Sequence, residues 1–224
     1  MARRPRGQLR QDILDTVIEL LIDTGDVASV SIDAVVDRVG CTPPALYYYF
    51  PTKNELLWQA CDAEFAKLAE HIDADVAGIV PTGPIVELAQ RGSALLHWAV
   101  AHPALYHILF MGTRQDGLVR GGTRDNPALR ATIANLQCGI AGGLVRPEIN
   151  LQLTTLALWA SMHGFASLTV TFPSIPVAEV ELCMQAACTP LLRSLMTPLG
   201  LEEFERLSLA AHGETPPIPV VDAP

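Results

Sequence analysis

Positive charge is what this sequence has least of: 15 Lys and Arg stand against 24 Asp and Glu, a formal net charge of −9. Gripping a phosphate backbone needs local cations, so this balance excludes a non-specific nucleic-acid coat and requires any DNA contact to be sharply localised. Charge of either sign is sparse, at 17% of residues, while 50% are hydrophobic, which excludes a disordered chain. No apolar run reaches the roughly 20 residues of a membrane helix, and the basic stretch 1–10 is not followed by an apolar signal core. A cytoplasmic protein with no membrane partner is expected. The five cysteines, Cys41, Cys61, Cys138, Cys183 and Cys188, are odd in number with no close pair at metal-ligand spacing, which points to reduced packing thiols. His97, His102, His107 and His163 have no carboxylate or cysteine beside them at ligand spacing, and no nucleophile motif is visible. Neither a metal, a cofactor nor catalysis is expected.

What is present is helical periodicity almost throughout. Apolar residues Leu9, Ile13, Val17 and Leu20 or Leu21 predict a helix over 9–24, closed by Gly25. Ser31 caps a second, short helix through Val35, Val36 and Val39, and Gly40 ends it. Thr42 caps a third, whose first positions are Pro43 and Pro44, where the missing amide protons have no helical partner to lose. Leu46 and Phe50 face its core side. Thr52 and Glu55 form a capping box for a fourth helix through Leu56, Leu57, Ala60, Cys61, Phe65 and Leu68. Further helices are expected at about 84–101, 103–111, 126–144, 150–171 and 177–197, with a mobile connection at 112–125. The domains expected are a basic arm (1–8), a helix-turn-helix unit (9–72), a helical partner domain (84–212) and a disordered tail (213–224).

Two short helices joined by a tight glycine turn form a helix-turn-helix, whose second helix can enter the major groove. Within residues 40–57, Gly40, Thr42, the Leu46-Tyr47 pair, the Tyr49-Phe50 pair and Lys53 occupy the positions usual in the tetracycline-repressor (TetR) family, which residues 10–70 resemble. The resemblance implies that Thr42, Tyr47 and Lys53 touch phosphates. It also implies that Pro43, Pro44, Ala45 and Tyr48 lie against bases and that Ser31 anchors the second helix to the DNA backbone. A hydroxyl at a helix N-terminus, tyrosine hydroxyls and a lysine all suit anions. Tyr49, three residues after Leu46, belongs either to the DNA face or to the core. Pro43, Pro44 and Ala45 carry no side-chain hydrogen-bonding group, so base reading falls to thymine-methyl contacts, Tyr48 and duplex shape. Arg3, Arg4 and Arg6 form an arm that either enters the minor groove or merely solubilises the end.

Leu158, Trp159, Ala160, Ser161, Met162, His163, Gly164 and Phe165 resemble the tryptophan-histidine-glycine signature of one class of TetR C-terminal domains. That resemblance implies an all-α protein whose second domain binds an effector and forms a homodimer through its last two long helices. Val177, Val180, Met184, Ala187, Leu191 and Leu195 make an apolar stripe suited to that interface, or to packing within one subunit. Trp98, Tyr106, Phe110, Trp159, Met162 and His163 are candidates to line a pocket for a hydrophobic, not strongly anionic, small molecule, ordinary core packing being the alternative. The function expected is a dimeric, ligand-responsive repressor on a palindromic double-stranded DNA operator. An activator of the same fold, or a helical carrier that has lost DNA binding, remains open.

Overall fold

The computed structural model describes residues 7–26, 29–77, 83–111 and 127–211. The basic arm, the 112–125 connection and the tail from 213 therefore lie outside the described residues. Within the described residues the fold is all-α. Local signals set the first three boundaries. α1 (Gln8–Thr24) stops at Gly25, and α2 (Ile32–Val39) starts where the Ser31 hydroxyl accepts from the Ala34 N–H at 3.1 Å. Gly40 then takes φ +69°, a left-handed conformation that side-chain-bearing residues rarely adopt. Its turn delivers the chain into α3 (Pro43–Tyr49), with prolines in the first turn.

Ile13, Val17, Leu21, Val35, Leu46 and Phe50 are wholly buried in one cluster, so α2 and α3, too short to be stable alone, are held in place against α1. α4 (Lys53–Ala77) is a single helix of 25 residues, begun by the Thr52 hydroxyl accepting from the Glu55 N–H at 3.1 Å. Leu56, Leu57 and Ala60 at its start belong to the first core, while Leu68 and Ile72 at its end belong to the second. The same helix thus ties both domains together.

The second domain packs α5 (Pro84–Ala101) against α7 (Pro127–Ala141), α8 (Leu151–Thr171) and α9 (Val177–Leu195). Between α5 and α7, α6 (Pro103–Tyr106) runs into a π-helical turn, His107–Met111. Leu105 and Ile108 of this pair pack on the first core, and Tyr106 and Leu109 belong to the second.

α9 matches the helix expected over 177–197, and a further helix, α10 (Pro198–Ala211), follows it where none was expected. Met196 turns extended and pairs with Val145 in an isolated antiparallel bridge. Thr197 then accepts from the Gly200 N–H at 3.1 Å and restarts the helix, with Pro198 following it. Its hydroxyl donates to the Gly143 carbonyl at 2.7 Å, and its N–H to the Leu144 carbonyl at 3.0 Å, which fixes α10 on the loop after α7. Gly200 sits so close that a Cβ there would lie 2.1 Å from the Leu144 oxygen. Gly200→Ala must push α10 off this loop, at a cost of about 1–3 kcal/mol. We expect a thermal midpoint lower by roughly 2–4 °C per kcal/mol in a chain of this size, measurable by calorimetry.

Candidate nucleic-acid interface and effector cavity

Residues needed for the fold and residues left over separate cleanly along α3. Leu46 and Phe50 are buried, and Tyr49 is half-buried against the same core. The Tyr49 ring also meets the Tyr48 ring edge-on at 5.0 Å. Thr42, Pro43, Pro44, Tyr47 and Tyr48 are exposed, and Ala45 is half-buried. Tyr48 is 81% exposed, the highest value among the exposed large hydrophobic residues. Tyr48, and in part Tyr47, are held in water on a proline-started helix, outside the buried core of this unit.

Neighbouring polar groups divide in the same way. The Ser31 hydroxyl caps α2, whereas the Thr42 side chain makes no capping bond to its own helix. Lys53 opens α4 immediately beyond α3. Arg38 is engaged by Asp23 at 2.9 Å, so it adds little net charge to the face. Arg10, which the sequence reading passed over, stacks its guanidinium 5.5 Å from the Phe50 ring centre and hydrogen-bonds Gln59, bracing α1 against α4. Arg3, Arg4 and Arg6 lie outside the described residues.

In the second domain the expected pocket residues do come together, but mostly as packed core. The Trp159 and His163 rings stack in parallel at 4.9 Å, and Tyr106 and Phe110 lie 5.5 and 5.1 Å from His163. The Tyr106 hydroxyl donates to the His163 carbonyl at 3.0 Å and lies 2.7 Å from Nδ1 of the same residue. Both contacts are satisfied when Nδ1 carries the ring proton. Burial pushes the Tyr106 phenol well above its ordinary pKa, so it stays a neutral hydroxyl. Trp98 is buried and stacks on His102 at 5.0 Å.

The open space lies beside this cluster. A cavity of about 810 Å³, open to solvent on one side, lies between α5, α8, α9 and α10, with Asp75 and Val76 from the end of α4. Of the six expected pocket residues only Met162 lines it; the other walls include Leu88, Leu158, Met184, Leu192 and Phe204. A smaller space of about 90 Å³ is lined by Phe110, Trp159 and again Met162. Trp98, Tyr106 and His163 line neither, because aromatic spacing marks a packed face as readily as a hollow one. Recognising Thr197 and Pro198 as a helix start would have exposed the α10 wall.

The expected dimer stripe needs the same correction. Val180, Met184 and Leu195 are buried within the protomer, Val177 and Leu191 are half-buried, and only Ala187 is exposed. Val180 and Met184 pack with Leu96, and Leu195 with Ile85, Leu136 and Val145, so this face of α9 is the subunit's own core. The free apolar side chains are instead Leu153, Leu156 and Leu168 of α8, Phe172 and Ile175 beyond it, and Leu182 of α9.

Comparison with known proteins agrees with both halves of this architecture. Residues 13–60 match the family described as bacterial regulatory proteins, tetR family, and residues 88–188 match the tetracyclin repressor-like, C-terminal domain. The chain belongs to the TetR family. It is therefore a DNA-binding transcription regulator, with α2 and α3 as the helix-turn-helix. A curated relative, the HTH-type transcriptional activator FasR of Mycolicibacterium smegmatis, is 34% identical over 77 residues. That match spans 34% of this chain and only 32% of FasR. Among solved structures, a TetR transcription regulator from Haloarcula marismortui superposes with TM-score 0.60 at 19% identity, covering 85% of this chain and 99% of its own. The transcriptional regulator FadR from Bacillus subtilis, solved in complex with stearoyl-CoA, gives TM-score 0.61 at 15% identity, covering 78% and 95%. Among the described residues no single helix is long and apolar enough to cross a membrane.

Proposed function

We propose that the protein is a cytoplasmic, homodimeric regulator that changes its hold on a palindromic operator when a small apolar molecule enters the 810 Å³ cavity. The supporting observation is the reach of α4. Asp75 and Val76 at one end line the cavity, and Lys53 at the other begins the helix next to the DNA-facing residues. A ligand that fits one tilt of α4 better than another alters operator affinity by its difference in affinity for the two states. Trp159, His163 and Gly164 assign the second domain to the tryptophan-histidine-glycine class on this reading. Thr42, Tyr47 and Lys53 contact phosphates, Pro43, Pro44, Ala45 and Tyr48 lie against bases, and two-fold symmetry repeats the contacts on the second half-site.

Repression is the sign we favour, since an operator-bound dimer blocks transcription without needing a further contact surface. Activation is the second reading, supported by the activator FasR. Transcript levels after removal of the regulator from its host decide between them: target genes rise under repression and fall under activation.

Calorimetry with a candidate apolar compound, run with and without operator, tests the coupling. Weaker binding in the presence of operator marks an inducer, and equal binding marks a passenger. Ser93 lines the cavity and is half-buried, so Ser93→Phe is expected to abolish the ligand response while gel shifts of the free protein stay unchanged.

A further inference from the structure

We propose that this cavity selects an uncharged lipophile and rejects anions, because the arginine and the histidine along its described walls each lie against a carboxylate. The inference rests on the cavity being the effector site and names the chemistry that site admits.

The larger cavity carries two groups able to be positive, Arg193 and His97. Arg193 lies 2.7 Å from the Glu205 carboxylate of α10, and His97 Nε2 lies 3.6 Å from Glu181 of α9. The remaining ionisable carboxyl group of that wall, Asp75, brings negative charge of its own, with His71 Nε2 at 3.6 Å. The smaller space shares the Met162 wall and contains Arg91, which is held twice, by Asp73 at 2.7 Å and Glu87 at 3.1 Å. Across the two spaces Arg193 is thus paired with Glu205 and Arg91 with Asp73 and Glu87, while Glu181 and Asp75 lie against His97 and His71.

An anionic head entering here must compete with a carboxylate for its cation or sit in a field of like charge, and each weakens its binding. An uncharged molecule meets neither obstacle. Leu88, Leu158, Met162, Met184, Leu192 and Phe204 supply apolar contact, while Ser93, Gln185 and Thr189 can orient a hydroxyl, ketone or amide. Burial pushes the Cys188 thiol up, which keeps that part of the wall neutral as well. The volume is within the roughly 300–1,000 Å³ of sites for drug-sized ligands. Shared fold with a regulator solved with stearoyl-CoA does not bring shared ligand chemistry: among the described residues, the one arginine lining the cavity, Arg193, is already paired with Glu205.

A pair of fluorescent probes tests the charge alone. N-phenyl-1-naphthylamine is uncharged, and 8-anilino-1-naphthalenesulfonate has the same ring skeleton plus a sulfonate; both brighten in apolar sites. With the full chain, the neutral probe is expected to bind saturably and at least about tenfold more tightly than the sulfonate. Ser93→Phe and Cys188→Phe, which fill the cavity from different helices, should each remove the neutral probe while gel shifts persist. Glu205→Gln releases Arg193 and should tighten sulfonate binding several-fold without changing the neutral probe. Sulfonate binding as tight as the neutral probe, lost in both filled variants, overturns the charge selection but leaves the cavity as a ligand site. Neutral-probe binding that is absent, or that survives both filled variants, overturns the cavity as the effector site and this inference with it.

Discussion

Tyr48→Ala is expected to weaken operator binding at least about thirtyfold while leaving the thermal midpoint unchanged. The two readouts separate because Tyr48 is 81% exposed and outside the helix-turn-helix core, so its removal costs little in folding. Bound to DNA, a base-facing contact of this kind contributes about 1–3 kcal/mol, and a two-fold dimer loses it at both half-sites. On the proposed docking, Pro43, Pro44 and Ala45 offer no hydrogen bonds to base edges, so the tyrosine is expected to carry more of the discrimination than one residue usually would. The loss should therefore be larger on operator than on unrelated duplex. Lys53→Ala is the contrasting variant. A phosphate contact weakens all sequences alike, and its loss lowers the slope of log affinity against log salt by about 0.9 for each protomer. Fluorescence anisotropy across a salt series reads both effects. An unchanged affinity for Tyr48→Ala, or an unchanged salt slope for Lys53→Ala, means that α3 docks differently.

Much of the DNA-binding unit was legible because its signals are local. Ser31 and Thr52 through their hydroxyls, and Gly40 and Pro43 through their backbones, each set a helix boundary, whereas the expected Thr42 side-chain cap did not form; Ile13, Val17, Leu46 and Phe50 followed helical spacing into the core. Such signals survive without knowledge of the tertiary fold. The second domain resisted for a different reason. α8 is apolar on most sides, so spacing alone cannot tell which side meets α5 and which meets solvent. On α9 the stripe through Val180, Met184 and Leu195 is the more apolar one and turns inward, while Leu182 lies outside it. Only the packed structure separates a wall of Leu158, Met184 and Leu192 around a cavity from the filled cluster of Trp159, His163 and Tyr106 beside it.

That inversion of faces yields the sharpest test of assembly. The apolar side chains left in solvent on α8, its C-terminal end and α9 are the ones a second copy would cover, Leu182 among them at 57% exposure. Leu182→Asp changes a solvent-facing position in the protomer, so the variant is expected to fold cooperatively. In a two-fold dimer it instead buries a pair of unpaired carboxylates, one from each subunit, and the dimer should dissociate. Each monomer must then find its half-site alone, without the high effective concentration that linkage provides, so operator affinity should drop more than about a hundredfold. Leu195→Asp is expected to fail in another way. At 7% exposure, packed with Leu136, Val145 and Leu192, the new carboxylate would have to be buried in the subunit core, which typically costs more than about 4 kcal/mol and leaves little folded protein. Sedimentation and thermal unfolding of the two variants give opposite patterns: a folded monomer for Leu182→Asp and an unfolded or aggregated chain for Leu195→Asp. A Leu182→Asp protein that stays dimeric places the interface elsewhere. A Leu195→Asp protein that folds as a soluble monomer returns the interface to the inner stripe of α9.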